Sequence, residues 1–505
     1  MKKLFVSLAL IVTTGLCYCQ VDLKKLDAYY EKALKDWGVP GMSLAIVKDG
    51  KMIFAKGYGV NETGKPEKPD ENTLYAIASN SKSFTSAIIA QLVQEGKLSW
   101  EDKVKTHLPY FELYDPWVSS ECNIRDLLSH RVGLGTFSGD MIWYRSTLSG
   151  EEIVRRVKYL PKSYDFRSGY GYSNVMFITA GEVIKKVTGK SWGEAVSERL
   201  LRPLGMERTI TTTADLNQKG NFSTPHRLNE GVHIPMEWED WAHVAATGGI
   251  ISSVKDMSQW MIFNLNHGVW NKDTLLSTPS RNMMWTPHTN FVVDHTAPIA
   301  TNHFTAYGLG WFLSDYRGKM LVHHTGGYSG MLSAMALVPE EKLGVVVLTN
   351  GLKGIYSALV NYTIDAFIKA PPKDWSAEKL ANSKKNKDTR IDDRKSARVS
   401  GTKPSVATEN LTGRYHADAY GRIRIATEGE KLKIHFENTP DLAAILSHWH
   451  YDIWELKWDR PEVLPWFTFG TVKFELDHNN QVTGISFDVP NDDFWFEELN
   501  AKKIK

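Results

Sequence analysis

The chain has few cysteines, and this shortage excludes a disulfide-stabilised fold. Only three occur among 505 residues: Cys17, Cys19 and Cys122. The first two lie in an N-terminal segment that we expect to be removed, so the mature chain keeps one thiol and cannot form an intrachain disulfide. Stability must therefore come from packing, and a hydrophobic content of 42% provides ample apolar surface for a core.

An excess of charge of one sign is also missing. The formal net charge is +2, which gives no general case for a nucleic acid partner or an anionic surface. The histidine pair His323-His324 has no acidic or cysteine partner at ligand spacing, so we expect neither a metal site nor a cofactor. The length of 505 residues predicts two or three domains.

The N-terminus has the pattern of a secretion signal. A basic start, Met1–Lys3, precedes an apolar run from Leu4 to Leu16 that is too short to span a bilayer comfortably. We interpret residues 1–19 as a signal peptide cleaved before Gln20, which predicts a secreted or periplasmic protein. No later segment is apolar enough to anchor in a membrane. Acylation of one of the two N-terminal cysteines, as in a lipoprotein, stays open as an alternative, although neither follows a typical Leu-Ala-Gly sequence.

The main chemical signal is Ser79-Asn-Ser-Lys82, which opens an apolar helix predicted to run from Ser79 to about Glu95. Residues three apart share one face of a helix, so the Lys82 amine is expected beside the Ser79 hydroxyl. A lysine that burial keeps neutral can take the serine proton and create a nucleophile. The backbone N–H of Ser79, at the helix N-terminus, suits a developing oxyanion.

The same Ser-x-x-Lys spacing recurs at three positions where it predicts no chemistry. The pair Ser252/Lys255 fits a helix cap, whereas Ser376/Lys379 and Ser400/Lys403 lie in a polar stretch with no core to bury an amine. Only Ser79 begins a helix that is apolar on most sides, which is typical of a buried element.

Two further motifs carry candidate groups. Tyr172-Ser-Asn174 offers a phenol that shuttles a proton if cations lower its pKa, and an amide that can hold a substrate carbonyl. Alone, the motif is better interpreted as a loop tyrosine and a helix-capping asparagine. His324-Thr-Gly326-Gly327 places glycines in a strand pattern, which permits the close backbone approach of an oxyanion hole. His130 is a possible base, but a cap at the end of a helix is the favoured interpretation.

Strand signals around these motifs predict a sheet packed by helices. Met42–Val47 and Met52–Tyr58 flank Asp49-Gly50, a strong hairpin signal. Later apolar, β-branched runs, including Ser333–Val338 and Leu343–Leu348, complete a predicted five-stranded sheet.

In order and approximate spacing, the three motifs resemble the class C β-lactamase-like serine hydrolases. This penicillin-binding-protein-like group includes class C β-lactamases, D-Ala-D-Ala carboxypeptidases, D-aminopeptidases and related esterases. The resemblance covers roughly residues 22 to 369 and defines a hydrolase domain at 20–370. It implies a three-layer α+β/α fold, in which a five-stranded antiparallel sheet is flanked by helices, with an all-helical region and an active site between the two.

The resemblance also implies roles for individual residues. Ser79 would be the acylated nucleophile, Lys82 its activator and Tyr172 the proton shuttle. Asn174 would orient the substrate amide. The backbone N–H groups of Ser79 and Gly327 would form the oxyanion hole.

The remaining substrate-binding residues would be His324, Thr325 and Gly326. His324 departs from the pattern, because β-lactamases of this class usually carry lysine at its position. A mostly neutral group then replaces a fixed cation that helps to hold the substrate carboxylate. This departure weakens a β-lactamase function, whereas peptidases and esterases of the family often have histidine here.

A different composition follows the hydrolase domain. Residues 371–408 form a predicted charged linker, and from about Leu411 a period of two predicts some eight short strands in a small antiparallel barrel at 409–505. By pattern and position the barrel resembles the lipocalin-like domain often fused to this family. Its aromatic residues either line a cavity, cover the active-site mouth or, as we favour, fill the barrel core: Trp449, Trp454, Trp458, Trp466 and Trp495.

The sequence thus predicts an extracytoplasmic serine hydrolase that forms an acyl-enzyme on Ser79 and cleaves an amide or ester, such as a D-amino-acid peptide. Its partner would be a small-molecule or peptide substrate. Two alternatives stay open: a class C β-lactamase, and a penicillin-binding-like cell-wall or ligand-binding protein with low turnover.

Overall fold

The computed structural model describes residues 21–293, 302–385, 388–460, 463 and 466–504. The predicted signal peptide, residues 1–19, lies outside this range. None of the helices in the described part of the chain combines the length and hydropathy of a membrane span.

A sheet of eight antiparallel strands forms the centre of the larger unit. The predicted count of five strands is too low by three, and two of the additional strands, at one edge, have only two and three residues, too few to show an alternation. The order across the sheet is β2-β1-β8-β7-β6-β5-β4-β3. The strands are β1 (Gly41–Lys48), β2 (Lys51–Gly59), β3 (Thr289–Asn290), β4 (Thr305–Tyr307), β5 (Phe312–Tyr316), β6 (Lys319–Tyr328), β7 (Met331–Val338) and β8 (Leu343–Thr349).

Both faces of this sheet are covered, as the three-layer prediction requires. In β1, Leu44 and Ile46 pack into one hydrophobic cluster while Ala45 and Val47 pack into another, because successive side chains of a strand point to opposite faces. The first face is covered by two helices. Leu23–Trp37 precedes the sheet in the chain, and Ile355–Phe367 follows it. The second face is covered by Val254–Leu265 and the all-helical region.

The helical region surrounds one element that is buried on nearly every side, Ser81–Gln94. It packs against Asn174–Thr188, so the two helices that follow the Ser-x-x-Lys and Tyr-x-Asn motifs are neighbours. The remaining α-helices are Val104–His107, Pro116–Glu121, Ile124–Leu128, Asp140–Trp143, Gly150–Arg156, Trp192–Val196, Leu216–Lys219, Ala245–Gly248, Thr278–Met284, Trp375–Lys385 and Arg390–Ser396.

The C-terminal part is a closed barrel of eight antiparallel strands, which confirms the predicted all-β module. Each strand pairs with its neighbours in the chain, and the first pairs with the last to close the barrel. Trp454 and Trp458 pack with its core. The strands are β9 (Gly413–Ala417), β10 (Gly421–Glu428), β11 (Lys431–Phe436), β12 (Ala443–His450), β13 (Ile453–Trp458), β14 (Thr471–Leu476), β15 (Val482–Asp488) and β16 (Ala501–Ile504).

The barrel docks on the helical region, and a single hydrophobic cluster runs through both. The ring of Phe494, in the loop between β15 and β16, lies 4.5 Å from the ring of Tyr144. Farther along the same loop, the Glu498 carboxylate accepts hydrogen bonds from the Gly139 N–H at 3.0 Å and from the Ser138 hydroxyl. The loop is therefore fixed against the hydrolase unit at two points.

Candidate active site

Ser79 lies in a tight turn at the base of the buried helix. A 3-10 turn, Ala78–Asn80, precedes the α-helix, which begins at Ser81, two residues later than predicted. Ala78 has a φ of +46°, a left-handed conformation that costs free energy for a residue other than glycine. The turn is tied to β7, because the Asn80 amide donates to the Ser333 hydroxyl at 2.8 Å.

The Lys82 amine lies at the centre of the site. Its Nζ atom is 3.0 Å from Ser79 Oγ, 2.7 Å from Asn174 Oδ1 and 2.8 Å from the carbonyl oxygen of Thr247. The side chain is fully buried. Burial lowers the pKa of Lys82 well below its usual value, and the nearby Asp140 opposes this shift only in part.

The three oxygen partners of Lys82 suit either form of the amine, because an ammonium group donates to all three, whereas a neutral amine donates to two and accepts from Ser79. The carbonyl oxygen of Thr247 only accepts, and Asn174 Oδ1 is identified as an oxygen because the Nδ2 group of Asn174 donates to Asp140 at 2.6 Å. A neutral amine has two N–H donors, which these two oxygens take, and one lone pair. The lone pair then faces the Ser79 hydroxyl, the arrangement required of a general base.

Tyr172 approaches Ser79 from the other side. Tyr172 and Ser79 border the same cavity, the Ser79 side chain is near enough to influence the pKa of the phenol, and the Tyr172 ring centroid lies 4.8 Å from Lys82 Nζ. The predicted shuttle depended on cations lowering the phenol pKa, but burial instead raises the pKa of Tyr172. The phenol therefore keeps its proton at neutral pH and is suited to donate it.

His130 holds the loop that carries Tyr172. Its Nδ1 atom accepts the Ser173 N–H at 3.0 Å, and its carbonyl oxygen accepts the Gly171 N–H at 3.0 Å. The ring lies 4.3 Å from the ring of Tyr172. His130 thus has a structural function, although through this loop and not as the predicted helix cap. Its bonding partner is 43 residues away in the chain, so no local pattern indicated the contact.

Strand β6 brings its glycines against the nucleophile turn. A Cβ at Gly326 would lie 2.2 Å from the Ile77 carbonyl oxygen and 3.0 Å from the Ser79 nitrogen, so a larger residue has no room. A Cβ at Gly327 would have its nearest neighbour, Leu332, at 3.8 Å. Gly327 and Ser79 border the same cavity, which is where the resemblance predicts the two oxyanion-hole N–H groups.

His324 is buried in this strand and has both ring nitrogens engaged. Nδ1 lies 2.6 Å from the carbonyl oxygen of Thr325, so it must donate, and Nε2 therefore accepts from the Tyr307 hydroxyl at 2.9 Å. Burial, assisted by Lys82, lowers the pKa of His324 to about 3. The ring is neutral at physiological pH and presents no cation to a substrate.

A cavity of about 360 Å³ opens above Ser79. Tyr172, Asn174, His324, Thr325, Gly326 and Gly327 all border it, so the structure brings together the residues predicted from three distant motifs. Both ends of the Asn174 amide are already bonded within the protein. The walls are otherwise mainly aromatic: Phe137, Trp143, Tyr170, Trp241, Phe312, Tyr356, Trp466 and Phe494.

The barrel supplies three residues of this cavity: Trp466, Asp493 and Phe494. Sequence reasoning named Trp466 only as one of several aromatic residues and missed the other two. Sequence reasoning also missed Asp140, whose carboxyl group accepts hydrogen bonds from the Trp143 indole N–H at 2.9 Å and from the Asn174 amide. Among the described residues, no group of three or more His, Cys, Asp or Glu side chains is arranged to hold a metal ion.

Comparison with known families identifies the larger unit. The family model described as "Beta-lactamase" matches residues 26–368. The chain belongs to the beta-lactamase family. A second family model, "Domain of unknown function (DUF3471)", matches residues 397–503 and so covers the barrel.

Curated relatives of this beta-lactamase family member include enzymes of fungi. The "Unguisins hydrolase ungD'" of Aspergillus campestris is 30% identical over 79% of this chain and 77% of its own. The "Unguisins hydrolase ungD" of Aspergillus violaceofuscus is 28% identical over 65% of this chain and 62% of its own. "Protein flp" of Staphylococcus aureus is 26% identical over 65% of this chain and 63% of its own.

Solved structures share the fold along most of the chain. The octameric penicillin-binding protein homologue from Pyrococcus abyssi superposes with a TM-score of 0.61 at 20% identity, covering 95% of this chain and all of that one. SurE superposes with a TM-score of 0.55 at 18% identity and covers 95% of this chain and 98% of its own. At these identities the likeness concerns the fold alone.

Proposed function

We propose that this protein is a serine hydrolase that forms an acyl-enzyme on Ser79 and hydrolyses an amide or ester bond. The observation that carries the proposal is the 3.0 Å contact between Lys82 Nζ and Ser79 Oγ, made by a fully buried amine whose other two partners are hydrogen-bond acceptors. Burial supports the same role, because it keeps the amine neutral and hence basic toward Ser79.

Acylation begins when Ser79 Oγ attacks the substrate carbonyl carbon and Lys82 takes the hydroxyl proton. The N–H groups of Ser79 and Gly327 stabilise the negative charge that develops on the carbonyl oxygen. Tyr172, near Ser79 and protonated because burial raises its pKa, gives its proton to the leaving nitrogen or oxygen and regains one from Lys82. The leaving group departs as an amine or alcohol, and the acyl group stays on Ser79.

Deacylation runs the same steps with water as the nucleophile. A water molecule attacks the ester carbonyl and loses a proton to the Tyr172–Lys82 pair, which returns it to Ser79 Oγ as the acid leaves. Asn174, Thr247 and Asp140 act by holding Lys82 in place. Thr325 and Gly326 border the substrate along β6.

The substrate class is narrowed by His324. Class C β-lactamases usually carry at this position a fixed cation that helps to hold the substrate carboxylate, and the neutral, fully bonded His324 ring offers none. The neutral His324 ring fits a peptidase or an esterase better than a class C β-lactamase. The hydrolase name of the fungal relatives supports turnover over the low-turnover binding alternative. From the predicted signal peptide at 1–19 we infer that the activity is secreted or periplasmic.

A fluorescent fluorophosphonate tests the proposal, because it phosphonylates activated serines. The wild type and Ser400→Ala, an exposed serine with the same Ser-x-x-Lys spacing, are expected to be labelled, and Ser79→Ala is not. Equal labelling of all three, or of none, contradicts the proposal. A hydrolysis screen over aminoacyl amides of both configurations, D-Ala-D-Ala peptides, short esters and a cephalosporin then identifies the substrate class.

A further inference from the structure

The loop between β15 and β16 places a carboxylate in the active-site cavity. Asp493 borders the cavity together with Ser79 and Tyr172. It is close enough for its charge to influence both Asp140 and Tyr172. A residue of the barrel, which has no part in the acyl-transfer steps, therefore faces the place where the substrate binds.

The carboxylate of Asp493 has no partner of its own among the residues that the structure describes. No hydrogen bond or ion pair joins it to another residue in the described part of the chain. The neighbouring Asp492 is exposed and pairs with Arg390 at 2.9 Å. Burial, with a contribution from Asp492, raises the pKa of Asp493 to about 6. A half-buried anion without a counter-charge is unfavourable unless a ligand supplies one.

The loop is rigid at this point. The side chain of Asn491 accepts the N–H groups of Asp493 at 3.0 Å and Phe494 at 2.6 Å. It also donates to the carbonyl oxygens of Val489 and Phe494, each at 2.8 Å. Phe494 itself is buried against Tyr144 and Trp466. Asp493 is therefore held in position, as a recognition group must be.

The charges around the cavity favour a cation over an anion. Its described lining includes two acidic residues, Asp140 and Asp493, and no lysine or arginine. Burial raises the pKa of Asp140 well above its usual value, so that Asp493 is the acidic group available to a ligand. Asp140 is satisfied by Trp143 and Asn174. Lys82 is kept neutral by burial, and His324 carries no charge at neutral pH.

We propose that Asp493 binds a protonated amine of the substrate, so that the preferred substrates are amides or esters whose acyl group carries a free amino group. This inference rests on the proposed acyl transfer at Ser79. The barrel then contributes the selectivity and the hydrolase unit contributes the chemistry.

A matched pair of substrates tests this role. Alanine p-nitroanilide and its N-acetyl derivative, in both configurations, differ only in the charge of the amine. The wild type is expected to have the higher kcat/KM for the free amine. Asp493→Asn is expected to lower that value by about tenfold to a hundredfold, the loss of a hydrogen bond to a charged group, and to leave the acetylated substrate unchanged. Glu497→Gln, a charge-matched control at an exposed position of the same loop, is expected to change neither.

An equal effect of Asp493→Asn on both substrates, or no effect, overturns the proposal. Binding of alanine amide to Ser79→Ala, measured by calorimetry, gives a second readout that requires no turnover. It is expected to weaken by a similar factor in Ser79→Ala/Asp493→Asn, and unchanged binding also overturns the proposal. Failure of the hydrolase function appears separately, as absence of fluorophosphonate labelling at Ser79. Asp493→Ser is a second substitution that removes the carboxylate. Thermal melting of each variant shows whether a loss of activity comes from lost amine binding or from misfolding.

Discussion

The amide oxygen of Asn174 accepts a hydrogen bond of 2.7 Å from the amine of Lys82. The other end of the same amide donates to Asp140 at 2.6 Å. Asn174 therefore separates the amine from a buried carboxyl group and keeps an uncharged atom next to Lys82.

Asn174→Asp is expected to move the activity to higher pH. A carboxylate in contact with Lys82 favours the ammonium form and raises the lysine pKa by about 1 to 3 units. Lys82 acts as a base only when neutral, so the acid limb of the kcat/KM profile moves upward by a similar amount. The exposed Asn266→Asp is the control. Identical profiles for the two variants argue against Lys82 as the base.

Tyr172→Phe is expected to lower kcat by about 100-fold to 10,000-fold, the usual contribution of a positioned proton donor. The ring and its packing against His130 and Lys82 are retained, so the melting temperature changes little. Steady-state kinetics and thermal melting measure the two effects. Tyr159→Phe, at an exposed position, is the matched control. Wild-type kcat in Tyr172→Phe refutes a role for the phenol.

Gly326→Ala and Gly327→Ala are expected to differ sharply, although they are adjacent. The first places a methyl group 2.2 Å from the Ile77 carbonyl oxygen. It displaces the Ser79 turn, which costs about 1 to 3 kcal/mol of unfolding free energy and about 100-fold in kcat/KM. The second has space and retains its N–H, so activity and stability are largely kept. Melting curves and hydrolysis rates decide, and comparable losses in both variants contradict the geometry described here.

The preference for a free amine is expected to depend on pH. Asp493 has a pKa of about 6, so its carboxylate is charged above that pH and neutral below it. An α-amino group loses its proton at about pH 8, which is the usual pKa of such groups. The ratio of kcat/KM for free and acetylated alanine p-nitroanilide therefore peaks between these values. The ionisable groups facing Asp493 are Asp492, Asp140 and Tyr172.

Asp493→Asn provides the control for this profile, because its side chain does not titrate. The ratio is expected to become flat on the acid side and to decline only as the substrate amine loses its proton. An acid limb that persists in Asp493→Asn assigns the titration to another group.

Local patterns predicted much of the fold and the centre of the site. The contact of Ser79 with Lys82 follows from helical spacing within one turn, and the Asp49-Gly50 turn signal indicated the hairpin of β1 and β2. The class of the barrel followed from its period of two. Each of these depends on residues that are close together in the chain.

Other features depend on contacts between distant segments and had no local signal. The bond from Ser173 to His130 and the position of Asp493 arise only when separate elements pack together. The rise in the pKa of Tyr172 has the same origin, because desolvation reflects the complete surroundings of a group. The edge strands β3 and β4 were missed since they are too short to show a period.

Asp493 and Phe494 lie in a loop that begins and ends on adjacent strands of the barrel, whereas Ser79, Lys82 and Tyr172 lie in the hydrolase unit. Insertions or exchanges in residues 489–500 can therefore remodel the mouth of the cavity without moving a reacting atom. Changes in this loop, in evolution or by engineering, can alter the substrate specificity while the acyl-transfer reaction is preserved.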